Sequence, residues 1–116
     1  MESISGTKKL GQEVFDHELK RTLDLLKETL LIKAKEYCRN DNPFHNFEAG
    51  SRIANLSAIR ALDGMLLKHY VSYRDMMDDM DKDIKIPASL IEEKLNDILV
   101  YFLLQKIQIL YHNGYI

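Results

Sequence analysis

The sequence predicts an all-α protein, a helical bundle of three long helices plus a short one that assembles as an oligomer. Three observations predict it. Apolar residues recur every three or four positions through three long segments, as they do along one side of an α-helix. No segment alternates apolar and polar residues with the period of two that a half-buried strand requires. Gly and Pro total only 7 of 116 residues, and turn-forming residues gather in two places, 38–51 and 79–88, where the periodic segments break.

From Leu10 to Tyr37 the positions Leu19, Leu23, Leu26, Leu30, Ala34 and Tyr37 form one stripe, and nothing after Gly11 interrupts it, so the first long helix is expected here. The stretch CRNDNPFHNFEAGS, 38–51, ends that helix with Asn, Asp, Pro and Gly, each a turn former for its own backbone reason. Its Phe44, His45 and Phe47 are too apolar to leave in water, so the loop is expected to fold back onto the helices. A short helix is expected over 48–55. Leu62, Met65, Leu66, His69, Tyr73, Met76, Met77 and Met80 define the second long helix, between Ser57 and Asp81. After the charged turn DMDKDIK, Ser89 and Glu92 fit a capping box that opens the third long helix, which stops at HNG, 112–114. Its middle, ILVYFLL at 98–104, is apolar nearly all round, so it is expected to be the most buried element, with Phe102 in the core.

The length suits one domain over 1–116, with 1–9 a flexible amino-terminal segment. A formal charge of −2, from 16 basic and 18 acidic residues, provides no excess with which to hold a nucleic-acid backbone, so no nucleic acid is expected as a partner. The longest apolar run is far short of the ~20 residues of a membrane span, and MESISGTKKLGQEV has no apolar signal-peptide core. With a single cysteine, Cys38, no internal disulfide can form. These features predict a cytoplasmic protein without a membrane partner. Three or four helices of this length carry more apolar stripe than one small chain can cover, so a homodimer or larger assembly is expected.

Chemistry is sought where polar groups interrupt apolar faces. Glu93 and Asp97, four apart, project from one side of the third long helix. On the second, Lys68, Ser72, Asp75 and Asp79 form one line and His69 lies on the apolar line beside it. Antiparallel packing of these helices would set Lys68 and His69 against Glu93 and Asp97 across a groove, with Asn46 and Phe47 at its rim. Each residue also has a plain structural reading. Acids near a helix start are favoured by its dipole, a lysine can snorkel, and the methionines serve as core filler.

The segments KEY (35–37), ND (40–41), NF (46–47), GMLLKHYVS (64–72) with Asp75, and EEKLND (92–97) followed by Tyr101 resemble, in order and spacing, a phage-associated branch of the MazG-like all-α nucleotide pyrophosphohydrolase superfamily, related to nucleotide-modification-associated domain 1. The resemblance covers about residues 33 to 104. It implies a bundle, usually dimeric or higher, whose two central helices hold the phosphates of a nucleoside triphosphate through magnesium, with the motif EExxE on one helix and ExxD on the next. In a phage-encoded protein the compartment would be the host cytoplasm. Magnesium needs such acids because it is a hard cation that prefers oxygen ligands and bridges polyphosphates. This chain departs from the pattern: Lys68, His69 and Ser72 stand where the three glutamates of EExxE would be. Asp97 matches the last position of ExxD, while the glutamate position falls on Lys94 with Glu93 one residue earlier.

By this resemblance Glu93 and Asp97 are the candidate catalytic residues. They are also the candidate magnesium ligands, joined by Asp75. Lys68, His69, Ser72, Asn46, Phe47 and Tyr101 are the candidate nucleotide-binding residues. Three functions stay open at this point: a divergent nucleoside triphosphate pyrophosphohydrolase, a non-catalytic module that sequesters a nucleotide, for example a host defence signal, and a purely structural helical oligomer.

Overall fold

The chain is seen in a computed structural model that describes residues 9–116; the expected flexible segment 1–9 falls outside these residues except for Lys9. Four helices follow one another: α1 (Gln12–Tyr37), α2 (His45–Ala54), α3 (Ala58–Asp81) and α4 (Ala88–His112). Among the described residues there is no strand, only an isolated bridge between Arg39 and Asn42. No helix among them is long and apolar enough to cross a membrane.

The corners explain the helix boundaries. At the α1–α2 corner, Arg39 and Asn42 exchange backbone hydrogen bonds of 3.1 and 3.0 Å around Asn40 and Asp41, at φ 53° and 63°. This is the backbone of a type I′ turn, which Asn and Asp tolerate better than other side chains. Asn42 Oδ1 then accepts the Phe44 N–H at 3.0 Å. That side-chain turn starts α2 at His45, three residues before the start expected from the sequence. Asn55 closes α2 in the left-handed conformation. Ser57 opens α3 by accepting the Arg60 N–H at 3.2 Å, an ordinary N-cap.

The expected capping box at the start of α4 does not form. Pro87, whose ring fixes its φ at −59°, already occupies the cap position, and its carbonyl accepts the N–H groups of Leu90 and Ile91. Ser89 therefore lies inside the first turn. Glu92 instead reaches across to Arg21 of α1.

α3 and α4 form a hairpin closed by residues 82–87 and run antiparallel. α2 packs on α3, and α1 packs on α4 and α2, so α4 lies between α1 and α3. Three cross-links fix α1 parallel to α4: Arg21 with Glu92, Thr29 with Asn96 and Tyr37 with Tyr101. The core comprises Tyr37, Phe47, Leu62, Leu66, Ile98, Val100, Tyr101 and Leu104, with Leu26, Leu30 and Leu95 against it.

Of the α1 stripe, Leu26, Leu30 and Tyr37 meet the core, while Leu19, Leu23 and Ala34 are exposed. One expectation of burial fails. On α4, buried residues occupy one broad side, Ile98, Val100, Tyr101, Leu104, Gln105 and Gln108. Phe102 faces outward and is half exposed, so it is not part of the core. An apolar circumference does not say which side a neighbouring helix covers.

Candidate functional site

The α3–α4 hairpin brings His69 onto Asp97 and Tyr101. The His69 and Tyr101 rings stack with centroids 4.8 Å apart at 22°, and His69 Nδ1 lies 4.0 Å from Asp97 Oδ2. The spacing explains both contacts. Asp97 and Tyr101 are one helical turn apart, so the carboxylate and the ring flank the same imidazole.

Behind this pair, the Tyr101 and Tyr37 hydroxyls are 2.7 Å apart in a buried hydrogen bond. Tyr37 meets Phe47 edge to face at 4.9 Å, so an aromatic chain runs from α2 through α1 and α4 to α3. Lys33, one turn before Tyr37, holds its ammonium 5.8 Å from the Tyr37 ring centroid and 3.7 Å from Glu36. Burial holds the Tyr101 phenol well above the ordinary tyrosine range, and its bond to Tyr37 adds to the shift. It stays protonated at any physiological pH.

Opposing influences act on His69. Burial lowers its pKa most, Asp97 raises it, and the charges of Lys94, Lys68 and Lys33 lower it further. The net direction is down, so the ring is neutral near pH 7. Among the charges that act on the ring, Lys94, Lys68 and Lys33 oppose Asp97, and Lys33 is itself 3.7 Å from Glu36.

Of the residues chosen from the sequence, His69, Asp97 and Tyr101 are in contact, and Phe47 joins them through Tyr37. Lys68 is exposed and contributes its field. Ser72 is partly buried one turn beyond Lys68. Asn46 is exposed in the first turn of α2, and Glu93 and Asp75 are exposed on α4 and α3. Tyr37, Lys33 and Lys94 are not among the sequence candidates. Tyr37 and Lys33 belong to α1, whose parallel position beside α4 no local pattern reveals. Lys94 sits in the very motif where the resemblance expects a glutamate.

Magnesium, which the resemblance implies, can be tested against these donors. Among the described residues no three His, Cys, Asp or Glu side chains stand close enough together to hold a metal ion. Asp97 faces His69 across 4.0 Å, while Glu93 and Asp75 are exposed; a magnesium ion bound there would draw most of its ligands from phosphate oxygens and water. A separate cleft of about 470 Å³ lies between the 41–44 turn, Glu48 and the end of α4, lined also by Ile107, Tyr111 and Ile116. None of the chosen residues lines it.

Comparison of the chain with protein-family models, with curated proteins and with solved structures gave no match.

Proposed function

We propose that the protein binds a nucleotide through its phosphate group at the His69 site, and that it holds the nucleotide without hydrolysing it. The observation that carries this reading is the contact of His69 with Asp97 and Tyr101 between α3 and α4, in the segments where the resemblance places a phosphate site. An ammonium donates to phosphate oxygens as a point charge. A neutral imidazole offers one N–H and gains a second as it protonates. Asp97 lies 4.0 Å away on the Nδ1 side of the ring. That the anion is a nucleotide is supported by the resemblance of segments 64–72 and 92–97.

The test is calorimetric titration with a panel of nucleoside mono-, di- and triphosphates, with and without EDTA, followed by chromatography of the incubated nucleotide. Binding should survive EDTA with no product released, and Lys68→Ala or Lys33→Ala should weaken it by ~1–3 kcal/mol, the scale of a charge-assisted hydrogen bond. Magnesium-dependent product that vanishes in Asp97→Asn would replace this reading with the hydrolytic one. Binding indifferent to both lysine substitutions would remove the site from consideration.

A further inference from the structure

The cleft between the α1–α2 corner and the end of α4 has two walls, each held by local backbone chemistry. On the first, Asn42 ties the corner to α2: its Oδ1 accepts the Phe44 N–H, and its Nδ2 donates to Glu48 Oε2. The amide fixes the Glu48 carboxylate beside the turn and leaves that carboxylate its second oxygen as an acceptor. Phe44 packs against the core and meets Phe47 at 6.3 Å, so its ring is a firm surface. On the second wall, Ile107 and Tyr111 are one helical turn apart and share a face of α4. Gly114, at φ 78°, then reverses the chain. Its N–H reaches the Tyr111 carbonyl and the Tyr115 N–H reaches the Leu110 carbonyl, the pattern of a Schellman turn, and Ile116 returns to the same cleft.

Size, surface and charge restrict what the cleft can take. Its volume of about 470 Å³ lies within the range of small-molecule sites. Tyr111 and Ile116 are 65 and 67% exposed, so a ligand with an apolar body would remove hydrocarbon and aromatic surface from water on both sides of the contact. The charged side chains that line the cleft are Asp41 and Glu48, with no lysine, arginine or histidine. Neither acid takes part in an ion pair among the described residues. Two uncompensated carboxylates repel a phosphate and attract a cation, and the aromatic faces of Phe44 and Tyr111 add to that attraction.

We propose that this cleft binds a small organic cation, an amine whose ammonium pairs with Glu48 and Asp41 and whose aromatic or aliphatic body rests on Phe44, Ile107 and Tyr111. A bare metal ion does not suit it, because a hard cation gains nothing from apolar walls. A neutral apolar ligand would leave both carboxylates without a counter-charge. The inference goes beyond the nucleotide reading and does not depend on it, since the ligand has the opposite charge and the cleft shares no lining residue with the His69 site.

Nuclear magnetic resonance titration of isotope-labelled protein with phenethylamine tests the proposal, with phenethyl alcohol as the neutral comparison and phenylpropionate as the anionic one. Phenethylamine at millimolar concentration should shift the signals of Phe44, Glu48, Ile107 and Tyr111 saturably. It should bind at least about tenfold more tightly than the alcohol, the scale of one charge-assisted contact, and phenylpropionate should bind more weakly still. Glu48→Gln keeps an acceptor for Asn42 and removes the charge, so it should weaken the amine about tenfold. Asp41→Asn keeps a residue that tolerates the left-handed backbone, and it should weaken the amine by less, because Asp41 is exposed. Should Glu48→Gln disturb the turn, the wild-type protein supplies the same test through salt, which should weaken the amine and leave the alcohol unchanged. The absence of a saturable shift would overturn the proposal. So would an alcohol or an anion that binds as tightly as the amine, amine binding indifferent to Glu48→Gln in a folded variant, or amine binding indifferent to salt.

Discussion

His69 lies flat against Tyr101, with ring centroids 4.8 Å apart and planes at 22°, while its Nδ1 faces Asp97 across 4.0 Å. The imidazole is thus clamped between an aromatic face, which favours its neutral form by excluding water, and a carboxylate, which favours its charged form. Exclusion of water prevails, reinforced by Lys94, Lys68 and Lys33, and the pKa of His69 falls below its ordinary value.

A pH dependence follows, and its sign can be worked out. A histidine whose folded pKa lies below the unfolded value binds its proton more readily when the chain is unfolded. The folded state therefore holds its full advantage above the unfolded pKa, near 6.5. It loses stability as pH falls through that value toward the lower folded pKa. Urea denaturation between pH 7.5 and about 5 should show this loss, and His69→Gln should flatten the slope. A bound phosphate would reverse the balance around the ring, so nucleotide binding should tighten with acidification and take up a proton. Calorimetry in buffers of different ionisation enthalpy measures that uptake.

The Tyr37–Tyr101 bond gives a second expectation. Both hydroxyls are buried, and removing one leaves the other without a partner, at a cost of about 1–3 kcal/mol. Removing both leaves no orphan. Tyr37→Phe and Tyr101→Phe should each lower the denaturation midpoint, and the double variant should be more stable than the sum of the two losses implies. Additive losses in chemical denaturation would mean that the two hydroxyls do not depend on each other.

Helix starts give a third. Ser57→Ala deletes the acceptor for the Arg60 N–H and should cost about 1 kcal/mol. Ser89→Ala, inside the first turn of α4 and exposed, should cost less than about 0.5 kcal/mol. Thermal melts of the two variants compare them directly. The reverse order would restore Ser89 as the cap.

Most of the helical content was legible because a 3.6-residue period is a local signal. The spacings of Leu19 to Tyr37, Leu62 to Met80 and Ile91 to Leu110 mark three helices close to their observed limits. The start of α2 was not legible in the same way, since it depends on a hydrogen bond from the Phe44 backbone to the Asn42 side chain. At α4, Ser89 and Glu92 satisfied a motif that Pro87 pre-empts. The pairing of His69 with Asp97 needed only the assumption that α3 and α4 pack antiparallel, which a six-residue link between them makes natural. Tyr37 and Lys33 enter the site from a helix that sits beside α4 by topology alone, and no nearby residue announces that. The outward turn of Phe102 was hidden for a related reason: hydropathy reports that a side chain avoids water, not whether its own chain supplies the cover.

The parallel pairing of α1 with α4 also dictates an order of events at the ribosome. Residues 64 to 71 positions apart must meet before the core exists: Tyr37 with Tyr101, Thr29 with Asn96, Arg21 with Glu92. α4, the last of the four helices to be synthesised, is the one that fits between the others. Until it emerges from the exit tunnel, α2 can pair with α3 but the space between α1 and α3 stays unfilled, and Leu26, Leu30, Leu62 and Leu66 remain open to chaperones and to neighbouring nascent chains. Long-range pairing of this kind slows folding relative to helical proteins built from sequential hairpins. A stop codon anywhere before Ile98 would therefore release a chain without a core, not a smaller bundle.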